Sequence, residues 1–82
     1  MPLRQNLSKR ELLALLNWEL AAYQQCEGAR FSAIRTMRER DDSGCNWLDA
    51  RVASDHPLGV DEHFIVRHVV EQTRQKFDLR AH

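Results

Sequence analysis

The stretch ARFSAIRTMRER, Ala29–Arg40, decides the fold. Read with a helical period, Phe31, Ile34 and Met37 fall three apart and share a face. Read as a strand, Phe31, Ala33 and Met37 lie on one side, with Ile34 and Thr36 on the other. The first reading gives an all-α chain of three to four helices, the second an α+β fold. The neighbours favour the strand. Gly28 stands directly before the stretch, and glycine closes helices because it adopts the left-handed conformation without strain. After it comes DDSG, Asp41–Gly44, a cluster of turn formers. Beyond the turn, in CNWLDARVA, Leu48, Ala50 and Val52 alternate with Trp47, Asp49 and Arg51. That is the period of a strand. The pattern predicts an antiparallel hairpin folded back at Ser43–Gly44, although helix propensity in the first run pulls the other way.

Working outward, the segment before the hairpin reads as a helix over 9–27. Ser8 and Glu11 have capping-box spacing, and Leu7 and Leu12 have that of a hydrophobic staple. Leu12, Leu13, Leu16, Leu20 and Tyr23 cluster on one face, with Leu15 and Cys26 at its edge. Glu19 falls inside that stripe, between Leu12 and Cys26, whereas Trp18 falls to one side. After the hairpin, Pro57 and Gly59 punctuate a connection. A second helix follows, with Asp61 as its cap and Val60 and Ile65 as a second staple. Its apolar face is Ile65, Val66, Val69, Val70, Thr73 and Phe77.

The expected order is therefore helix, strand, strand, helix. A lone hairpin is marginal in water and needs a cover. Two amphipathic helices on one face supply it, giving a two-layer α-β-β-α unit. Residues 1–82 are expected to form a single domain, flexible at 1–6 and 80–82. No internal repeat or low-complexity segment occurs.

Bulk properties exclude more than they assign. Twelve basic residues balance twelve acidic ones, so no global field draws the chain to nucleic acid or to an anionic membrane. The longest apolar run, Leu12–Leu16, is five residues, against the roughly 20 needed to span a bilayer. The N-terminal stretch MPLRQNLSKREL lacks the pattern of a signal peptide. The expectation is a cytoplasmic protein with reduced thiols, since its two cysteines make no disulfide framework.

The candidate chemistry is sparse. Cys26, Cys45, His56, His63, His68 and His82 contain no close ligand pair, and His63 and His68 diverge around a helix, so no metal is expected. No cofactor motif, Gly-rich phosphate loop, G-x-S-x-G elbow or HExxH occurs, so no cofactor is expected either. Cys45 sits in a turn beside Asp41 and Asp42, which disfavour a thiolate nucleophile. A carboxylate at Glu19 in an apolar stripe costs free energy unless paired. Arg35, which interrupts an apolar strand face, is its expected counterpart in a buried ion pair. The sharper alternative makes Glu19 a pocket acid in a small-molecule or catalytic site with Cys45 and a histidine.

Residues 30–40 carry Arg30, Arg35, Arg38 and Arg40 against Glu39. Arg30, Arg38 and Arg40 are the candidate nucleic-acid contacts. Residues 41–62 carry six acids against one arginine, so cross-strand ion pairing explains the same pattern. Trp18 and Phe64 lie off the main helix faces, Phe64 alongside His68. With Trp47, these are the candidate partner-binding residues, because interfaces are built from aromatics rimmed by polar groups. Sheet edges add a place for a second copy or an extended peptide to pair.

The combination of NWELAAYQQCEG, DDSGCNW and RQKFDL resembles short uncharacterised bacterial proteins of about this size. The similarity covers most of the chain. It implies a bacterial cytosolic origin and no particular activity. On the residues, the first expectation is a small non-enzymatic protein-binding module, with itself among the candidate partners. The second is a nucleic-acid-binding module, and the third a site around Glu19.

Overall fold

In the computed structural model, which describes residues 5–40, 42 and 44–80, the chain is an α+β fold. The elements in order are β1 (Gln5–Leu7), α1 (Lys9–Leu20), a short 3-10 turn (Gln24–Cys26), β2 (Ala29–Thr36), β3 (Trp47–Ser54), α2 (Val60–Arg74) and β4 (Phe77–Leu79). The expected helix–strand–strand–helix order is present, framed by a short strand at each end.

Helix α1 starts where the capping box places it. The Glu11 N–H donates to Ser8 Oγ (3.1 Å), and the Ser8 N–H donates to Glu11 Oε1 (2.9 Å). Those bonds from Ser8 hold the Glu11 carboxyl below its ordinary range. Leu12, Leu16 and Leu20 are buried, and Leu7, Leu13 and Tyr23 pack against them. The helix ends at Leu20 rather than near residue 27. Ala22 and Tyr23 donate to carbonyls three residues back, which tightens the last turn, and Tyr23 then goes extended. The 3-10 turn that follows buries Cys26. Gly28 does adopt positive φ (+88°), but it closes this turn instead of α1.

The hairpin pairs β2 with β3 antiparallel, from Ala29↔Ser54 to Thr36↔Trp47. Its register slips once between Phe31 and Ala33 and again between Arg35 and Thr36. Ser32 is thus an extra residue in β2 and Leu48 an extra residue in β3. A bulge flips every later side chain to the opposite face. That is why Phe31 and Ile34, of opposite parity, are both buried, and why Trp47 joins Ala50 and Val52 on the core side. The simple alternation expected from the sequence, with Phe31 opposite Ile34 and Trp47 opposite Ala50, is corrected by these bulges. Beyond β2, Gly44 adopts φ +85°. Residues 41 and 43 of the expected turn lie outside the described residues.

Trp47 is the centre of the core. It is fully buried, and its indole N–H donates to the Phe77 carbonyl (3.0 Å). This bond ties the hairpin to β4, which pairs parallel with β1 through Gln5↔Phe77, Asn6↔Asp78 and Leu7↔Leu79. The Arg80 N–H extends that ladder to the Leu7 carbonyl (2.7 Å). Gln5, Asn6 and Arg80, expected in flexible ends, are therefore bonded into sheet, and Phe77, expected on the second helix, belongs to β4. Residues 1–4, 81 and 82 lie outside the described residues.

Helix α2 is capped by Gly59, not Asp61. Glu62 Oε1 reaches back to accept from the Gly59 N–H (3.3 Å), which is half of a capping box, since glycine supplies no side chain. This places Val60 at the first helical position, 72% exposed, so it makes no staple with Ile65. Val69, Val70 and Thr73 are buried, and the Thr73 hydroxyl is satisfied by donating to the Val69 carbonyl (2.9 Å). Among the described residues, no helix is long and apolar enough to cross a membrane.

Candidate functional site

The site grows from the two outer edges of the hairpin. On β2, the Phe31 N–H donates to Asn17 Oδ1 (2.7 Å), and Asn17 Nδ2 donates to the Phe31 carbonyl (3.1 Å). A side-chain amide offers one donor group and one acceptor, as a peptide unit does, so Asn17 stands in for a neighbouring strand at Phe31. Asn46 does the same for β4. Its Nδ2 donates to the Leu79 carbonyl, and its Oδ1 accepts from the Leu79 N–H, both at 2.8 Å.

The edge of β3 is different. Because both main-chain groups of Phe31 point away from β3, Phe31–Val52 is a non-hydrogen-bonded pair of the ladder. Val52 then points its own N–H and C=O outward, and Ala50, two positions back along the strand, does likewise. Among the described residues these outward groups meet no hydrogen-bond partner. Farther along, the Trp47 carbonyl is taken by Arg74 Nε (3.0 Å) and by the Cys45 thiol (3.4 Å).

Beside this edge, α2 and β3 diverge to leave an open groove of about 670 Å³. Its apolar lining includes Leu48, Val60 and Phe64, which are 44%, 72% and 64% exposed. Large apolar side chains gathered at one place are the exposure that calls for explanation, since isolated ones are ordinary on any surface. Arg67 and Glu71 line the same groove. Arg74 Nη1 lies 3.7 Å from Glu71 Oε1.

The face of the hairpin away from the core is charged. Asp49 accepts two bonds from Arg35, Nε to Oδ1 and Nη2 to Oδ2, each 2.6 Å. This bidentate pair holds the Asp49 carboxyl below its ordinary range and raises Arg35. By register, Arg30 and Arg51 lie on that face too.

The other candidates separate. Arg35 pairs with Asp49 and not with Glu19, so the expected buried Glu19–Arg35 pair is replaced by an exposed cross-strand one. Since α1 stops at Leu20, Cys26 no longer flanks Glu19. Glu19 sits half-exposed in a shallow depression with Trp18 and Tyr23. Trp18 is 75% exposed there and does not line the α2 groove. Trp47 is core rather than partner surface. His68 is exposed but lies outside the groove lining. Arg40 is not a free phosphate contact. Its Nη1 donates to the carboxylate of the buried Asp78 (2.5 Å) and to the Gly44 carbonyl (2.7 Å), fastening the turn region to β4. Arg30 and Arg38 are exposed.

Cys26 and Cys45 are both buried and free. Burial, and after it the charge of Glu62, pushes the Cys26 thiol up, away from nucleophile behaviour. His56 lies with Nδ1 2.7 Å from Asp55 and Nε2 3.2 Å from Glu62, and these two carboxylates raise its pKa. No three His, Cys, Asp or Glu side chains among the described residues converge to hold a metal ion.

Sequence reasoning passed over Asn17 and Asn46 because polar residues near helices and turns look solvated. It also missed the groove role of Leu48 and Val60, since alternation and staple spacing assigned both to packing. Only the bulge at Leu48 and the cap at Gly59 expose them. No protein-family model, curated protein or solved structure matches this chain.

Proposed function

We propose that the chain is a small non-enzymatic binding module that takes up a protein partner along the open β3 edge and the groove beside it. The observation that carries this reading is the coincidence of two features at one place. The outward main-chain groups of Ala50 and Val52 run beside the exposed Leu48, Val60 and Phe64. Strand addition takes main-chain hydrogen bonds from such an edge and selectivity from an adjacent apolar pocket. Two buried free cysteines support a reducing, cytosolic setting. The test is site-specific photo-crosslinking in the host cell. A photoreactive side chain at position 64 is expected to give a discrete protein adduct, and one at position 18 to give none. Absence of any adduct at 64, or equal labelling at both positions, overturns the reading.

One observation favours a second reading, a nucleic-acid-binding module. Arg30, Arg35 and Arg51 share the outer hairpin face with Asp49 as the facing carboxylate. Binding to single-stranded RNA or DNA that weakens steeply with salt, and that fails in Arg30→Glu/Arg51→Glu, is its signature. The third reading, a site joining Glu19 to Cys45, loses its geometry, because Cys45 is fully buried and does not line the depression that holds Glu19.

A further inference from the structure

Resting on the docking reading above, we infer that the occupant of the β3 edge is a second copy of this chain, paired antiparallel about a two-fold axis at Ala50. A two-fold interface must be self-complementary, so each candidate axis can be tested against the charges on the strand. An axis at Asp49 sets carboxylate against carboxylate, and an axis at Arg51 sets guanidinium against guanidinium. Like charges directly opposite are destabilising. An axis at Ala50 sets Arg51 of each copy opposite Asp49 of the other, on the outer face, twice. Ala50 itself has the outward N–H and C=O that two copies need in order to exchange a pair of main-chain bonds.

The same operation leaves the two α2 helices on one face of a joined four-stranded sheet, with order β2-β3-β3-β2. Leu48, Val60 and Phe64 of the two copies then face each other across the axis, and their exposure ends. Asp49, already held by Arg35 within its own chain, becomes the middle of an Arg35–Asp49–Arg51 row that runs across the interface. At the two outer edges of that sheet, Asn17 occupies the main-chain groups of Phe31.

The test uses the full chain in sedimentation equilibrium with charge-swapped variants. R51D leaves carboxylates at both positions and D49R leaves guanidiniums at both, so each is expected to be monomeric alone. Each should lose at least about tenfold in self-affinity. Mixed together they are expected to form a one-to-one heterodimer. Because D49R also removes the Arg35 pair, its fold is checked by NMR, and the double variant D49R/R51D, which restores opposite charges, is expected to dimerise again. A50C, placed on the axis, should form an intermolecular disulfide under mild oxidation, since the Cα separation of a hydrogen-bonded pair, about 5.5 Å, suits one. A wild-type chain that stays monomeric at millimolar concentration overturns the dimer, and so does a dimer that R51D leaves intact. If the chain is monomeric yet position 64 crosslinks a different protein, the dimer fails while the docking reading stands. No adduct at all sinks both.

Discussion

The two outer edges of one hairpin are treated differently. Along β2, Asn17 meets both main-chain groups of Phe31 with its own amide, while the register turns the groups of Ile34 outward as it does those of Ala50. Along β3, Arg74 takes the Trp47 carbonyl, and the groups of Ala50 and Val52 stay open beside an apolar groove. An exposed edge is a pairing hazard that proteins block by covering, charging or bulging it. This chain has the means to block an edge with a single amide and does so at Phe31 and at Leu79. No such amide meets the groups of Ala50 and Val52, and Ala50 lines the apolar groove.

The comparison breaks most severely at Trp47, where the two edges are anchored. Its side chain is fully buried, and its indole bond to Phe77 joins the hairpin to β4. Trp47→Ala is expected to cost about 3–5 kcal/mol, most of the margin of a domain this size. Urea unfolding should show a midpoint near zero denaturant, and a loss below about 1 kcal/mol would mean that the core is centred elsewhere.

A smaller change sharpens the contrast directly. Asn17→Leu strips the partners from the Phe31 N–H and C=O and is expected to cost about 1–3 kcal/mol. Native-state hydrogen exchange is the more telling measurement. In the wild-type monomer the Phe31 amide should be protected, while those of Ala50 and Val52 exchange quickly. Asn17→Leu should bring Phe31 to the rate of the other two. Equal rates at all three in the wild type would erase the distinction between the edges.

The smallest effect lies at the start of α2, whose first turn borders the groove. His56 is held between Asp55 and Glu62, which raise its pKa, and Glu62 also accepts from the Gly59 cap. A raised folded-state value means that the contribution of His56 is fully present below its unfolded pKa, about 6.5. It is lost as pH rises through the higher folded value. The protection factors of the amides in the first turn of α2, which allow for the base catalysis of exchange itself, should therefore fall on going from pH 6 to pH 8, and His56→Gln should abolish that fall. Asp49 runs the other way. Its lowered value gives a contribution present above the ordinary carboxylate range and lost in acid.

Much of the framework could be read along the chain because it rests on local signals. The Ser8–Glu11 box, the Leu12–Leu16–Leu20 stripe and the strand character of the run after Cys45 act within a few residues. The candidate site was less legible. Phe64 and Trp18 were singled out as off-face aromatics, and both are exposed, but they occupy separate surfaces. Along the chain Trp47 reads like these two, and Arg40 reads as a phosphate contact. Each is held by a residue more than 25 positions away, Phe77 in one case and Asp78 in the other. No local pattern encodes such a partner.

By itself the sequence determined the α+β class, the two strands of the hairpin and the start of α1. Period, capping and glycine chemistry are settled by residues that are neighbours along the chain. Tertiary structure alone decided the faces of the hairpin, the early end of α1, the β1–β4 pairing and the difference between the two edges. A bulge, a three-residue strand or an amide closing a distant peptide leaves no periodic trace, since its energy comes from groups that meet only after the chain has folded.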